Sequence, residues 1–416
     1  MNILLFEDAG YLRLLPLTWM RPAFDLRCGR DRLFDKIRRH VGPVARLLVR
    51  PELHAVAARR YPLDAVKNEP WTILNARALV TGDIQLPPVG VAWKVQDSLV
   101  AATITPDAVE RLTNSLFLDP ARVTEWVDSL RIEPTPPNVR LIDHPWDLVQ
   151  ANAAELIRQC RPDGDSAGKV YPGAHLIHPE AITIKAGAAV KPGAVLDAES
   201  GPIWIDERAT IEPNAVVQGP CCIGAGSIVR PGASIREGTT IGPVCKVGGE
   251  VECTIFQGYS NKQHDGFLGH SFVAPWVNLG AGTTNSDLKN TYGTIRVHLN
   301  GVGVETGLHF VGATIGDHTK TGIGTLLTTG CVLGVAANVF ATRAPKFVPS
   351  FAWLTDDEMK PSRVDKIIEI ARTVMARRKI DLDAEESKLL SVVAQLAQQI
   401  EVVGWADAER EIRAAQ

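Results

Sequence analysis

No apolar run in this 416-residue chain approaches the 18 or so residues that a bilayer-spanning helix needs, so nothing in the sequence suggests a membrane-spanning helix. Neither sign of charge is in excess. Lys and Arg number 44 against 47 Asp and Glu, and the net charge of −3 creates no overall field that would draw nucleic acid or an anionic membrane. The seven cysteines (Cys28, Cys160, Cys221, Cys222, Cys245, Cys253 and Cys331) are scattered, with no CxxC and no Cys/His ligand spacing. They read as reduced, mostly buried thiols. The opening residues MNILLFEDAG pass from a short apolar run straight to acids, unlike a charged-then-apolar leader, and point to a cytoplasmic protein. What is present is a globular composition, 45% apolar and 22% charged, over a length that predicts two or three domains.

Three zones follow one another. Residues 1–165 mix strand-like runs (NILLF, ARLLVR) with the amphipathic stretch DLVQANAAELIRQC, an α/β pattern. The polar, Gly-rich RPDGDSAGK at 161–169 marks a linker. Residues 166–345 change character. Ile205, Ile211, Val217, Ile223, Val229, Ile235, Ile241 and Val247 fall at successive six-residue steps, with small residues between them. Ile184, Val190 and Leu196 share the step, and Ile315, Leu327, Leu333 and Val339 resume it with Thr321 filling a rung. A six-residue period fits neither an α-helix nor a half-buried strand. It fits a coil of three short flat faces with glycines at the corners, a left-handed parallel β-helix of hexapeptide repeats. Residues 346–416 carry apolar residues at helical spacing, Val364, Ile367, Ile368, Ala371, Val374 and Met375, then Leu389, Leu390, Val393, Leu396 and Ile400. These predict C-terminal helices packed on the prism or on a neighbouring subunit.

A solenoid of stacked coils has no obvious pocket, so chemistry is expected where the period breaks, at 252–272 and 284–310. The first break contains GYSNKQHDGFLGH, which reads as a polar loop. Histidine is the side chain that can accept a proton near pH 7, so His264 is the candidate base and His270 its competitor.

The stretches CCIGAGSIVRPGASIREGTTIG, HDGFLGHSFVAPWVNLGAGTTN and HFVGATIGDHTKTGIG resemble the acetyltransferase half of the bifunctional bacterial enzyme that makes UDP-N-acetylglucosamine. With PLTWMRPAFDLRCG, HPWDLVQAN and VCKVGGEVE, residues 1–353 resemble the GlmU-like sugar nucleotidyltransferase family. The resemblance implies that His264 removes a proton from a sugar amine as it attacks acetyl-CoA, that Asn278 positions substrate and that Arg230 and, more loosely, Lys246 contact a sugar phosphate. It also implies substrate contacts from Phe267 and Tyr292 and coenzyme contacts from Ala281, Ala313 and Lys320. Two positions depart from the family: Phe267 stands where tyrosine is usual, which removes a hydroxyl, and Ala313 stands for serine. The implied assembly is a homotrimer with the pocket between subunits.

Nucleotidyl transfer calls for UTP or a similar triphosphate, a sugar phosphate and Mg²⁺, normally held at a Gly-rich loop after the first strand. Here that place holds LLFEDAGYLRLLPLTWMRP, with Gly10 alone and no GxGxR pattern. Arg13, Arg21, Arg27 and Arg30 are the replacement phosphate ligands, LNARALVTGD adds Asn75 and Arg77, and Asp8 and Asp83 are the metal candidates. Three readings remain open: an acyltransferase with a nucleotidyltransferase-like partner domain, a nucleotidyltransferase on an oligomerising prism, and a non-catalytic nucleotide-sugar sensor.

Overall fold

Asn2–Phe6 is buried on both faces, as a central parallel strand must be, and forms β1 of the first unit. With β2 (Val44–Leu48), β3 (Trp71–Asn75), β4 (Val91–Val95), β5 (Ser98–Ile104) and β6 (Arg131–Pro134) it builds a mixed sheet in the order β2-β1-β3-β5-β4-β6. Where a phosphate loop would follow β1, Leu14, Trp19, Met20, Phe24 and Leu26 are buried instead. Phe24 packs its ring edge against Tyr61 at 4.9 Å. The computed structural model describes residues 1–162, 164 and 166–415. Residues 163 and 165, in the linker and at the domain boundary expected from sequence, lie outside the described residues.

This unit comprises Met1–Leu14, Thr18–Arg27 and Asp31–His144; the second comprises Leu15–Leu17, Cys28–Arg30 and Pro145–Gln416. The helix α1 (Pro145–Gln159), which the sequence reading placed in the first domain, therefore clusters with the solenoid. Its buried Asn152 donates to the Gly238 carbonyl at 2.7 Å and accepts from the Gly29 amide at 2.6 Å.

The second unit is a parallel β-solenoid of about 10 turns. Ile205, Ile223 and Ile241 stack on one face, Ile211, Val229 and Val247 on the next, and Val217 and Ile235 on the third. Six residues thus make a face and eighteen a turn, and all eight side chains are fully buried. Beyond Ile241 the turn length varies: Ile241 pairs with Phe256, Phe256 with Val273, Val273 with Ile315 and Ile315 with Leu333.

These lengths correct one expectation. GYSNKQHDGFLGH is a shortened turn of the solenoid rather than a loop, since Asn261–Lys262 and Phe267–Gly269 continue two of its faces. The polar residues are kept in place because Ser260, Lys262 and Ser271 find backbone carbonyl acceptors inside the coil. The second break does leave the solenoid, as an antiparallel hairpin of Arg296–Leu299 and Val302–Glu305. Thr321 fills its rung as expected, bonding the Thr283 hydroxyl at 2.7 Å and the Gly280 amide at 3.0 Å.

Three helices end the chain, α2 (Val364–Ala376), α3 (Ala384–Ile400) and α4 (Val402–Ala415). They bury Ile367, Ala371 and Met375, then Leu389, Leu390 and Val393, the stripes seen in the sequence. Buried Glu401 ties them to the last turns by accepting from the Ser350 amide at 2.7 Å and hydroxyl at 2.8 Å. Among the described residues no single helix is long and apolar enough to cross a membrane.

Candidate active site

One corner of the solenoid carries the break in period. Asn261–Lys262 ends one face and Phe267–Gly269 begins the next, so His264 and Asp265 sit at the bend, exposed. The bend needs Gly266, which has φ +120° and where a Cβ would lie 2.2 Å from the Thr283 carbonyl oxygen. Lys262 alternates inward and is 2% exposed. Its ammonium donates to the carbonyls of Gly248 at 2.8 Å and His264 at 3.0 Å, bracing the bend from inside.

Around this corner lies a groove of about 850 Å³. His264 and Asp265 form one wall, Arg230 the preceding turns, and Ala281 and Ile323 the following ones. Arg230 reaches Glu212 at 3.0 Å and keeps part of its guanidinium exposed. Three predicted residues, His264, Arg230 and Ala281, therefore share one groove. Gln263, Asp265 and Ile323 join them without having been foreseen.

Three more candidates lie on the face leading into the corner. Lys246, Asn261, Asn278 and Lys320 occupy successive rungs, all pointing outward. Asn278 is exposed, whereas Lys320 folds onto the His318 carbonyl at 2.8 Å. Burial pushes the ammonium of Lys320 down to about 8. The remaining candidates are elsewhere. Phe267 is half-buried on the following face and lays its ring against Gly269. Ala313 is 1% exposed in the solenoid core, so its methyl faces neighbouring aliphatics and no ligand. Tyr292 is 73% exposed on the excursion and is not among the groove's walls.

His270 stands at a different corner. Its Nδ1 lies 2.8 Å from Asp287 Oδ2 and its ring stacks on Phe310 at 5.1 Å. Burial acts to lower its pKa, but the hydrogen bond with Asp287 and the nearby Cys253 outweigh that and raise it to about 9. At neutral pH this imidazole is already protonated and cannot act as a base. Glu252, His270 and Asp287 offer ligand atoms within 4.8 Å of one another. Arg236 lies 2.7 Å from Glu252, and with the imidazolium it balances the two carboxylates without a metal.

In the first unit the predicted nucleotide ligands are tied to each other. Asn75 donates to Asp8 at 2.8 Å and accepts from the Arg77 amide. Arg77, 1% exposed, bridges Asp8 at 2.6 Å and Asp143 at 2.5 Å and also donates to the Ile142 carbonyl. Arg13 pairs with Asp143 at the surface, Arg21 is buried beside Asp25 at 3.3 Å, and Arg27 is half-buried. Asp83 is 92% exposed and pairs with His40, not with Asp8. Asp8 is neutralised by Arg77 and Asp83 stands apart, so these two residues do not fit a shared Mg²⁺ site.

Lys262 makes a testable contribution. Burial lowers its pKa to about 8 from 10.5, so the folded chain gives up this proton before the unfolded chain does. The unfolded state binds more protons between those values, and stability from this residue rises with pH across pH 8–10.5, by up to ~3 kcal/mol. Urea unfolding of Lys262→Met across this range is expected to show a shallower rise, leaving the part due to Lys320. An unchanged slope would place the Lys262 ammonium in water.

Residues 3–161 match the family model described as sugar nucleotidyl transferase. A bifunctional sugar-1-phosphate nucleotidylyltransferase/acetyltransferase of Sulfurisphaera tokodaii is 32% identical over 143 residues, 34% of this chain and 35% of that protein. A bifunctional protein GlmU of Desulfitobacterium hafniense is 32% identical over 192 residues, 41% of each chain. The chain thus spans less than half the length of these curated relatives. A solved UDP-N-acetylglucosamine acyltransferase of Francisella novicida aligns over 53% of this chain and 76% of its own, at 13% identity and a TM-score of 0.30, too distant to inform the site. By these matches, residues 3–161 are similar to the sugar nucleotidyl transferase family, and parts of the chain are similar to bifunctional proteins of the GlmU type.

Proposed function

We propose that the protein is a transferase of sugar-nucleotide biosynthesis that moves an acetyl group from acetyl-CoA to the amine of an amino-sugar 1-phosphate in the His264 groove. The observation that carries this reading is the convergence of an exposed imidazole, a guanidinium and small residues on one corner. His264 takes a proton from the amine as its nitrogen attacks the thioester carbonyl. The C–S bond then breaks, and the imidazolium returns the proton to the departing thiolate. Arg230 meets the sugar phosphate, and Gly282 and Ala281 leave room for the coenzyme arm. In this reading the protein works in the cytoplasm as a homotrimer, the assembly that the hexapeptide resemblance implies.

The match at residues 3–161 favours a second activity, nucleotidyl transfer from UTP to the acetylated sugar phosphate. The closed Asp8–Arg77–Asp143 network argues against it, and no step through Mg²⁺ is derived from these residues. The acyl-transfer test is release of free coenzyme A thiol from acetyl-CoA with glucosamine 1-phosphate by the intact chain. Thiol release that depends on the acceptor is expected. Folded protein without release would overturn the reading for this donor and acceptor, and pyrophosphate formation from UTP and N-acetylglucosamine 1-phosphate would test the second.

A further inference from the structure

The helix α2 begins just after Met359–Pro361, a strand paired to Ala352–Leu354 at the far end of the face that carries Lys246, Asn261, Asn278 and Lys320. It then runs back along the solenoid. Its 13 residues span about 20 Å, close to the four rungs from Trp353 to Asn261 at about 4.8 Å each. Just beyond its end, Arg378 donates from Nη2 to Asn261 Oδ1 at 2.9 Å.

We propose that Arg378 of the C-terminal segment joins Lys246 and Asn261 to form a binding site for a phosphate monoester on this face. A guanidinium only donates, so the Asn261 oxygen faces Arg378 and its amide NH₂ remains as a donor at the same point. Lys246 projects from the adjoining rung on the same side. Neither cation pairs with a carboxylate among the described residues: Arg378 has a neutral amide for partner, and Lys246 has none. Two like charges side by side repel, and a tetrahedral dianion between them converts that repulsion into charge-assisted hydrogen bonds. Lys320, two rungs further on and bonded only to a carbonyl, adds to the positive potential of the face.

The proposal rests on the acyl-transfer reading only for the ligand's identity, since both the acceptor's 1-phosphate and the 3′-phosphate of coenzyme A are phosphate monoesters. Its test is therefore binding, not turnover. Calorimetric titration of the full chain at low salt with inorganic phosphate, glucosamine 1-phosphate, coenzyme A and dephospho-coenzyme A is the experiment. Arg378→Met and Lys246→Met are each expected to weaken phosphate binding about tenfold or more, with Arg378→Lys intermediate. Arg378→Met can also loosen α2, so Asn261→Asp is the second variant. Its carboxylate pairs with both cations, holds the helix in place with unchanged or higher thermal stability, and is expected to remove phosphate binding.

Weakening confined to glucosamine 1-phosphate assigns the site to the acceptor. Weakening for coenzyme A, with dephospho-coenzyme A binding unaffected, assigns it to the donor. No phosphate binding by the parent chain at millimolar concentrations, or parent-like binding by Asn261→Asp, overturns the proposal. Failure of thiol release with phosphate binding intact would instead remove the acyl-transfer reading and leave this site standing.

Discussion

Replacing His264 by glutamine is expected to lower acceptor-dependent release of coenzyme A by about 10²–10⁴-fold, the range over which a positioned general base contributes. The expectation is sharp because the imidazole is exposed and its backbone carbonyl, not its ring, carries the contact to Lys262. The amide of glutamine fills similar space and hydrogen-bonds, yet accepts no proton near neutral pH. Melting temperature and acetyl-CoA binding should stay at parental values while kcat falls. The informative control is His270→Gln, which removes a cation from between Asp287 and Glu252 and should lower stability more than it lowers kcat. Full activity in His264→Gln, or a greater loss of kcat in His270→Gln, would move the chemistry to the other corner.

Arg77→Met is expected to destabilise the first unit by about 3–5 kcal/mol, the cost of removing one partner from a buried ion pair. The guanidinium is fully enclosed and serves two carboxylates and a carbonyl, so its loss strands Asp8, with 14% of its side chain exposed, against a desolvated surface. Asp143 is 41% exposed and contributes less, because water replaces part of the interaction. Arg77→Lys should recover part of the loss, since one ammonium cannot span both acids. Chemical denaturation followed by the tryptophans of the first unit measures the effect. Parental stability in Arg77→Met would show that the network is dispensable and free Arg77 for a ligand role. Acid provides a second check. Burial alone would raise the Asp143 carboxyl, but Arg13 and Arg77 together hold it below its ordinary value of 3.8. Its contribution is present above that pH and is lost as pH falls through the lower folded value.

The ladder from Ile205 to Val247 and the stripes Ile367–Ala371–Met375 and Leu389–Leu390–Val393 were legible in the linear chain. A period is a local property: every sixth residue faces inward because each face takes six, whatever else the fold does. Three residues of the groove, His264, Arg230 and Ala281, stood out through family motifs, and the glycines around them marked a corner. A six-residue count passes over Lys262, because the step from Ile241 to Phe256 and from Val247 to Lys262 is shorter than a regular turn and the inward register can no longer be projected forward.

Other features were decided by tertiary structure. Residue type and spacing do not separate His264, exposed at one corner, from His270, protonated beside Asp287 at another, since six residues carry the chain across a whole face of the solenoid. Asp8 read as a metal ligand and Arg77, in LNARALVTGD, as a nucleotide ligand; the sheet instead brings β1 beside β3, and they neutralise one another. Arg378 gave no signal at all, being one of several basic residues at a helix end. It gains a role only because α2 turns back along the solenoid to Asn261, 117 positions away in the chain. Composition and periodicity by themselves determined which architecture this protein adopts, since those depend on neighbours in sequence. Which charges are free to meet a ligand depended on partners far apart in the chain, and only the folded structure could decide that.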